Sequence, residues 1–277
     1  MPTWVVMAFA GGFLSNLAFF VTRKALKEED PTAFGWWFEV MRLAAFSALA
    51  WFNFKLELSP AAFFWLAALG VTEIAAMYSF AKMQSLTELS VASIVSRLRL
   101  VWVPLIALAV LGERLAVSEY LGIALLFLGL SVVASPRRIR NDSGIKYALF
   151  FSVTAAVNSV LMKRGAAFAS TPVLLAAMSL PAILAFPALM KSSKIRIAAS
   201  FKKRIKANLV FLAFNVVSMY LFVEALRVGP ASKVVGFYQS MLIIAVILGI
   251  VVLKERERIV KKVAGSLLTL VVIWLLV

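Results

Sequence analysis

AMYSFAKMQSL, residues 76–86, is written again as SMYLFVEALRV at 218–228, and the likeness runs on without a gap to residues 114 and 256. Sliding the chain by 142 positions places Met77, Tyr78 and Phe80 on Met219, Tyr220 and Phe222, and Ser90 on Ser232. The same shift lays Leu111-Gly112-Glu113-Arg114 over Leu253-Lys254-Glu255-Arg256 and brings Asn16 onto Asn158. A duplication of this length marks a repeated structural unit. What kind of unit is decided by the sequence around it.

That surrounding sequence is apolar. Of 277 residues 63% are hydrophobic, against about 45–50% in a soluble domain, and the mean hydropathy is +0.96. The composition predicts a membrane bundle, and an internally repeated membrane bundle points to transport. Net charge is +16, but the basic residues stand in short runs between apolar stretches. This pattern suits lipid headgroups and the control of topology, not nucleic acid, which would need a soluble module that the chain has no room for. There is no cysteine and no histidine, which removes disulfides, thiolate metal sites and the commonest proton shuttle. No cofactor is expected. Met1-Pro2-Thr3-Trp4 lacks the charged start of a signal peptide and reads as leading straight into a first span.

Ten apolar stretches follow, at 4–22, 33–53, 60–82, 91–112, 119–135, 145–163, 172–190, 209–227, 234–253 and 261–277. Each is close to the roughly 17–25 residues a helix needs to cross a bilayer, and helix keeps the backbone hydrogen-bonded in lipid. The expected fold is therefore all-α, with ten transmembrane helices. Trp4, Trp36, Trp37, Trp51 and Trp274 mark span ends. Gly11/Ser15, Ala44/Ala48 and Ala155/Ser159 are small pairs that would allow close helix contacts, and Pro104, Pro181 and Pro187 fall inside spans as kinks or hinges.

The basic stretch 136–144 (PRRIRNDSG) separates five spans from five, giving repeats at 1–135 and 145–277. A unit with an odd number of spans ends on the side opposite its start, so a tandem copy must be inverted. Two inverted copies about an in-plane axis open their centre to each side in turn. Basic residues gather in alternate loops: Arg23, Lys24 and Lys27; Arg137, Arg138, Arg140 and Lys146; Lys191 to Lys206; and Lys254 to Lys262. The positive-inside rule makes these loops cytoplasmic, in the cell membrane, and both termini external. The stretch 191–208 mixes Ile195, Ile197, Phe201 and Ile205 with its cations and is expected on the membrane surface.

Residues 104–129, with PLIALAVLGERL followed by YLGIALLFLG, resemble the fourth and fifth helices of the EamA family in the drug/metabolite transporter superfamily. The second half repeats the theme at Leu253-Lys254-Glu255-Arg256 and Gly265, Arg42 matches an arginine common in the family's second helix, and Tyr78 begins a typical third one. The resemblance covers essentially the whole chain. It implies ten helices, a central cavity lined by both halves, and transport of small polar metabolites. Where relatives often carry a proline early in the fourth helix, this chain has Arg99, with Arg97 two residues before it.

Charge inside a span costs about 2.5–3.5 kcal/mol per residue on insertion scales, so Glu39, Arg42, Glu73, Arg97 and Arg99 must be paired or face a cavity. Glu39 and Arg42 share a helix face, as an ion pair locking span two to a neighbour or as substrate contacts. Arg97 and Arg99 lie about 200° apart on a continuous helix, so only one is expected to face the cavity. A guanidinium there would hold a carboxylate or phosphate through paired hydrogen bonds. Glu73 is the candidate for proton coupling, the alternative being a fixed salt bridge to an arginine. Asn16 and Asn158, and Tyr78 and Tyr220, are equivalent pairs, and Asn215, Tyr238 and Gln239 extend the polar set; these are interhelical hydrogen bonds or substrate contacts. Glu113-Arg114 and Glu255-Arg256 read as caps or gating contacts.

The sequence thus predicts a non-enzymatic, alternating-access transporter of a small polar solute, amino-acid export among the possibilities, in contact with membrane lipids. The alternative is a lipid or lipid-linked sugar flippase. No metal-ligand cluster, general base or nucleophile motif supports an enzyme.

Overall fold

The computed structural model describes residues 2–26, 30–87, 89–114, 116–118, 120–122, 143–203 and 205–241, with isolated positions at 125, 251, 252, 260, 264, 267 and 271. Most of the spans expected at 119–135 and 261–277, most of the end of the one at 234–253, Glu255, Arg256 and most of the linker lie outside the described residues. Ten helices are described: α1 Thr3–Leu26, α2 Pro31–Phe52, α3 Pro60–Leu86, α4 Leu89–Ser96, α5 Arg99–Leu111, α6 Ser143–Gly165, α7 Thr171–Ala188, α8 Ser193–Lys203, α9 Ile205–Val228 and α10 Ala231–Ser240. Among the described residues no strand occurs, only one isolated bridge between Leu56 and Ala169.

These ten are not the ten expected spans. The fourth span is two helices, α4 and α5, and α8 is an additional short amphipathic helix in the basic stretch 191–208. Ser143 and Gly144 belong to α6 and not to the linker. Four described helices are long and apolar enough by themselves to cross a bilayer: 60–86, 143–165, 171–188 and 208–228.

Local chemistry sets the helix ends. Asp30 caps α2 by accepting from the Thr32 and Ala33 N–H groups at 2.9 and 3.1 Å, with Pro31 in the first turn. Ser59 does the same for α3 through Ala62, ahead of Pro60. These are the side-chain acceptors and pre-set φ that favour helix starts. Gly112 ends α5 at φ +69°, a left-handed conformation that costs glycine nothing.

Packing repeats as the sequence does. A shift of 142 carries α1, α2, α3 and α4 onto α6, α7, α9 and α10. Correspondingly α1 lies along α9 while α3 lies along α6, α10 rests on α1 while α4 rests on α6, and α2 packs on its own counterpart α7. Close approach is built in at Gly12, where a Cβ would meet the Tyr238 carbonyl oxygen at 2.0 Å. Gly11 likewise admits the Ser218 backbone, whereas Ala44 and Ala48 lie exposed on the outer face of α2 and mediate no such contact.

Between α4 and α5 the helix is broken at Arg97 and Leu98. Hydrogen bonds from Leu98 to Val95 and from Leu100 to Arg97 close three-residue turns at 3.1 and 2.8 Å. In the second half α10 ends at Ser240, two residues beyond the counterpart of Ser96, where α4 ends.

Candidate functional site

The break opens onto a cavity of about 120 Å³ between the halves, lined among others by Arg42, Glu73, Arg97, Arg99, Asn158, Ser159, Asn215, Tyr238 and Gln239. The rest of its wall is mainly apolar, from Phe38, Met77, Phe80, Phe151, Phe211 and Phe222, with Ser15 and Ser96. Two polar networks of opposite character meet there.

The first is anionic. Arg42, 3% exposed, holds Glu39 at 2.6 Å and Glu73 at 2.8 Å through Nη2, and donates from Nε to Ser179 Oγ at 2.9 Å. Asn158 Nδ2 donates to the other Glu73 oxygen at 2.6 Å, and Thr72 Oγ1 donates to Asn158 Oδ1. This ties α2, α3, α6 and α7 together, and it engages both oxygens of Glu73. A carboxylate so held favours the fixed ion pair over a free proton carrier. Taking away one partner of a buried pair costs about 3–5 kcal/mol, because the other is left uncompensated.

The second network is cationic. Arg97, 4% exposed, donates from Nη1 to Gln239 Oε1 and from Nη2 to Asn16 Oδ1 at 2.9 Å, while Asn16 Nδ2 donates to the Gly12 carbonyl at 2.7 Å. Arg97 and Gln239 are repeat counterparts, so a pair related by the duplication touches itself here. Arg99 reaches Ser159 Oγ at 3.4 Å and lies over the Phe222 and Tyr238 rings at 5.5 and 5.8 Å. Among the described residues neither arginine has a carboxylate partner, and the Nε atoms of both, with Gln239 Nε2 and Asn215 Oδ1, are buried without a hydrogen bond. Buried donors normally find acceptors. Three such donors belong to residues that line one cavity.

The expectation that only one of Arg97 and Arg99 faces the cavity is corrected. It assumed a continuous helix, and the break at 97–98 turns both toward the same space. Tyr78 and Tyr220 do not line the cavity either. Their neighbours Met77 and Met219 do, and one residue is about 100° of helix rotation. Tyr78 instead meets the Tyr147 ring and the Lys82 ammonium. Asn16 sits behind Arg97 as its acceptor. Ser159, read from sequence only as a small packing residue, is a wall residue and the Arg99 acceptor; its position beside Asn158 was the available signal. Tyr238 donates or accepts at Ser218 Oγ, 2.8 Å away, and Ser218 in turn reaches the Gly11 carbonyl.

Beyond the cavity one end of the bundle is tied shut. Glu57 and Ser170 N–H groups bond Phe168 and Lys55 carbonyls at 2.8 Å, pairing the α2–α3 and α6–α7 loops. Arg227 caps the carbonyls of Ala166 and Ala169, and Glu224 accepts from Thr171. Glu113 accepts from the Ala231 N–H at 3.0 Å and Ser232 Oγ at 3.2 Å, at the start of α10, and pairs with Lys163 at 3.0 Å. Burial pushes the Glu113 carboxyl up, but the Ala231 and Ser232 N–H groups and the Lys163 ammonium outweigh it and hold it below its ordinary 4.5. Arg114 is exposed. At the opposite end Asp30 pairs with Arg196 of α8, and Trp37 Nε1 donates to the Ile197 carbonyl at 2.8 Å.

Residues 2–135 and 142–277 each match the EamA-like transporter family. No curated protein matches the chain. A crystal structure of a protein 15% identical in sequence aligns over 97% of this chain and 95% of its own, with a TM-score of 0.62, and so shares the fold.

Proposed function

The chain belongs to the EamA-like transporter family, a multi-pass membrane protein, and we propose that it moves a small polar metabolite carrying a carboxylate, amino acids foremost, by alternating access through the cavity between its halves. Arg97 carries the reading: it is buried on the cavity at a helix break, bonded to groups of both halves, and has no carboxylate partner among the described residues. A guanidinium so placed receives a carboxylate bidentately. The two halves act as inverted repeats, a relation supported by the contact between Arg97 and its counterpart Gln239 and by the paired packing of α1 with α9 and α3 with α6.

In the cell membrane the positive-inside distribution puts the tied end outside, so Glu113, Arg227 and the paired loops are the contacts that separate when the cavity faces outward. The Arg42 network anchors α2, α3, α6 and α7 as a block against which the remaining helices move. A cavity of about 120 Å³ is well below the roughly 300–1,000 Å³ of a drug-sized site and favours a free metabolite over a lipid-linked sugar.

Purified protein in liposomes, preloaded with unlabelled amino acid, should take up the labelled one by counterflow; Arg97→Ala should abolish uptake and Arg97→Lys restore part of it. Absence of counterflow for every amino acid and small carboxylate tried would sink this reading, and uptake undiminished in Arg97→Ala would sink the role of Arg97.

A further inference from the structure

We propose that the solute carries a net charge of −1 and two carboxylates, as an acidic amino acid does, and that Arg99 selects for it. This rests on the transport reading above. With every group ionised, the three arginines of the two networks outnumber the two glutamates, and one positive charge remains in a largely apolar space. A neutral zwitterion leaves that charge unpaired when the cavity closes; a solute of net charge −1 removes it. Uncompensated charge in a low-dielectric site is the costlier state, so the cavity discriminates by charge.

The unsatisfied groups match such a solute part by part. Arg97 Nε and Gln239 Nε2 are donors for one carboxylate. Arg99 supplies the second: its contact to Ser159 is long at 3.4 Å, its Nε is free, and it otherwise lies over two aromatic rings, a resting place from which a ligand oxygen displaces it. Asn215, the counterpart of Glu73, presents a buried carbonyl oxygen with no donor, which suits an ammonium. Glu73 does not serve there, because Arg42 and Asn158 already occupy both its oxygens. The mixed pattern of spare donors and one spare acceptor fits an amino dicarboxylate better than a plain dicarboxylate or a neutral amino acid.

The test compares solutes of nearly the same shape and different charge: counterflow of glutamate against glutamine and of aspartate against asparagine, in the reconstituted protein. Wild type should prefer the acidic member of each pair by about tenfold or more. Arg99→Gln brings the formal charge of the networks to zero and should erase or reverse the preference; Arg99→Lys keeps the charge and should keep the preference even if Arg99→Gln does not reconstitute. Equal transport of both members by wild type, with Arg97→Ala inactive, would overturn the charge selection and leave the transport reading standing. Failure of all four amino acids and of simple carboxylates would remove both.

Discussion

Arg42 and Arg97 are both buried arginines in one cavity wall, yet removing them should have unequal consequences for stability. Arg42 lies within 2.8 Å of two carboxylates and holds a third acceptor on α7. Arg42→Gln strands Glu39, which is fully buried with one oxygen already unpartnered, beside Glu73. The cost of an uncompensated buried partner is about 3–5 kcal/mol. At roughly 2–4 °C per kcal/mol for a chain of this size, the apparent melting temperature should fall on the order of 10 °C. Arg97→Gln removes two hydrogen bonds to neutral amides, about 1.5–3 kcal/mol each for a charged donor, but also a guanidinium with no carboxylate partner among the described residues, whose burial costs several kcal/mol. The two terms largely cancel, so Arg97→Gln should melt within a few degrees of wild type while losing transport. Intrinsic tryptophan fluorescence of the detergent-purified variants, with counterflow on the same preparations, measures both. Equal losses of melting temperature in the two variants would refute the division into a paired network and an unpaired one. A double variant, Arg42→Gln with Glu39→Gln, should recover part of the Arg42 loss.

Two other perturbations test different links. In Gly12→Ala the new methyl would sit 2.0 Å from the Tyr238 carbonyl, so α1 and α10 must separate; overpacking of this kind costs about 1–3 kcal/mol, and counterflow should fall more than stability does because Tyr238 and Gln239 move with α10. Glu113→Gln should cost about 1 kcal/mol at neutral pH through the lost charge at the α10 start. Since the Glu113 carboxyl is held below its ordinary 4.5, its contribution is complete above that value and is lost as pH falls through the lower folded value. Melting curves of wild type and variant should therefore converge on acidification below about pH 4.5; a gap that does not narrow as the pH falls would count against the linkage.

Much of this was readable in the residues. The offset of 142 marked the two copies, and the structure packs their helices in corresponding pairs because packing preserves what duplication copies. Spacing alone placed Glu39 beside Arg42. It failed at Arg97 and Arg99, since rotation per residue applies only where the helix continues, and no residue type announces the turn at 97–98. It failed again at Tyr78 and Tyr220, conserved between the copies yet about 100° off the cavity-facing stripe. Ser159 escaped notice because a small residue on an apolar helix has a packing role by default.

All five charges of the two networks come from the first half, while the second contributes only neutral groups to them: Asn158, Ser159, Ser179 and Gln239. The ribosome therefore releases the expensive half first. Spans two and three offset part of their charge through Arg42, but Arg97 and Arg99 are made before Gln239 and Ser159, and of the groups that receive them only Asn16 precedes them. The early half has to wait, loosely assembled or attended, until α6 and α10 arrive and close around it. A first half made alone, to residue 135, would keep Asn16 for Arg97 but lack Gln239 for Arg97 and Ser159 for Arg99.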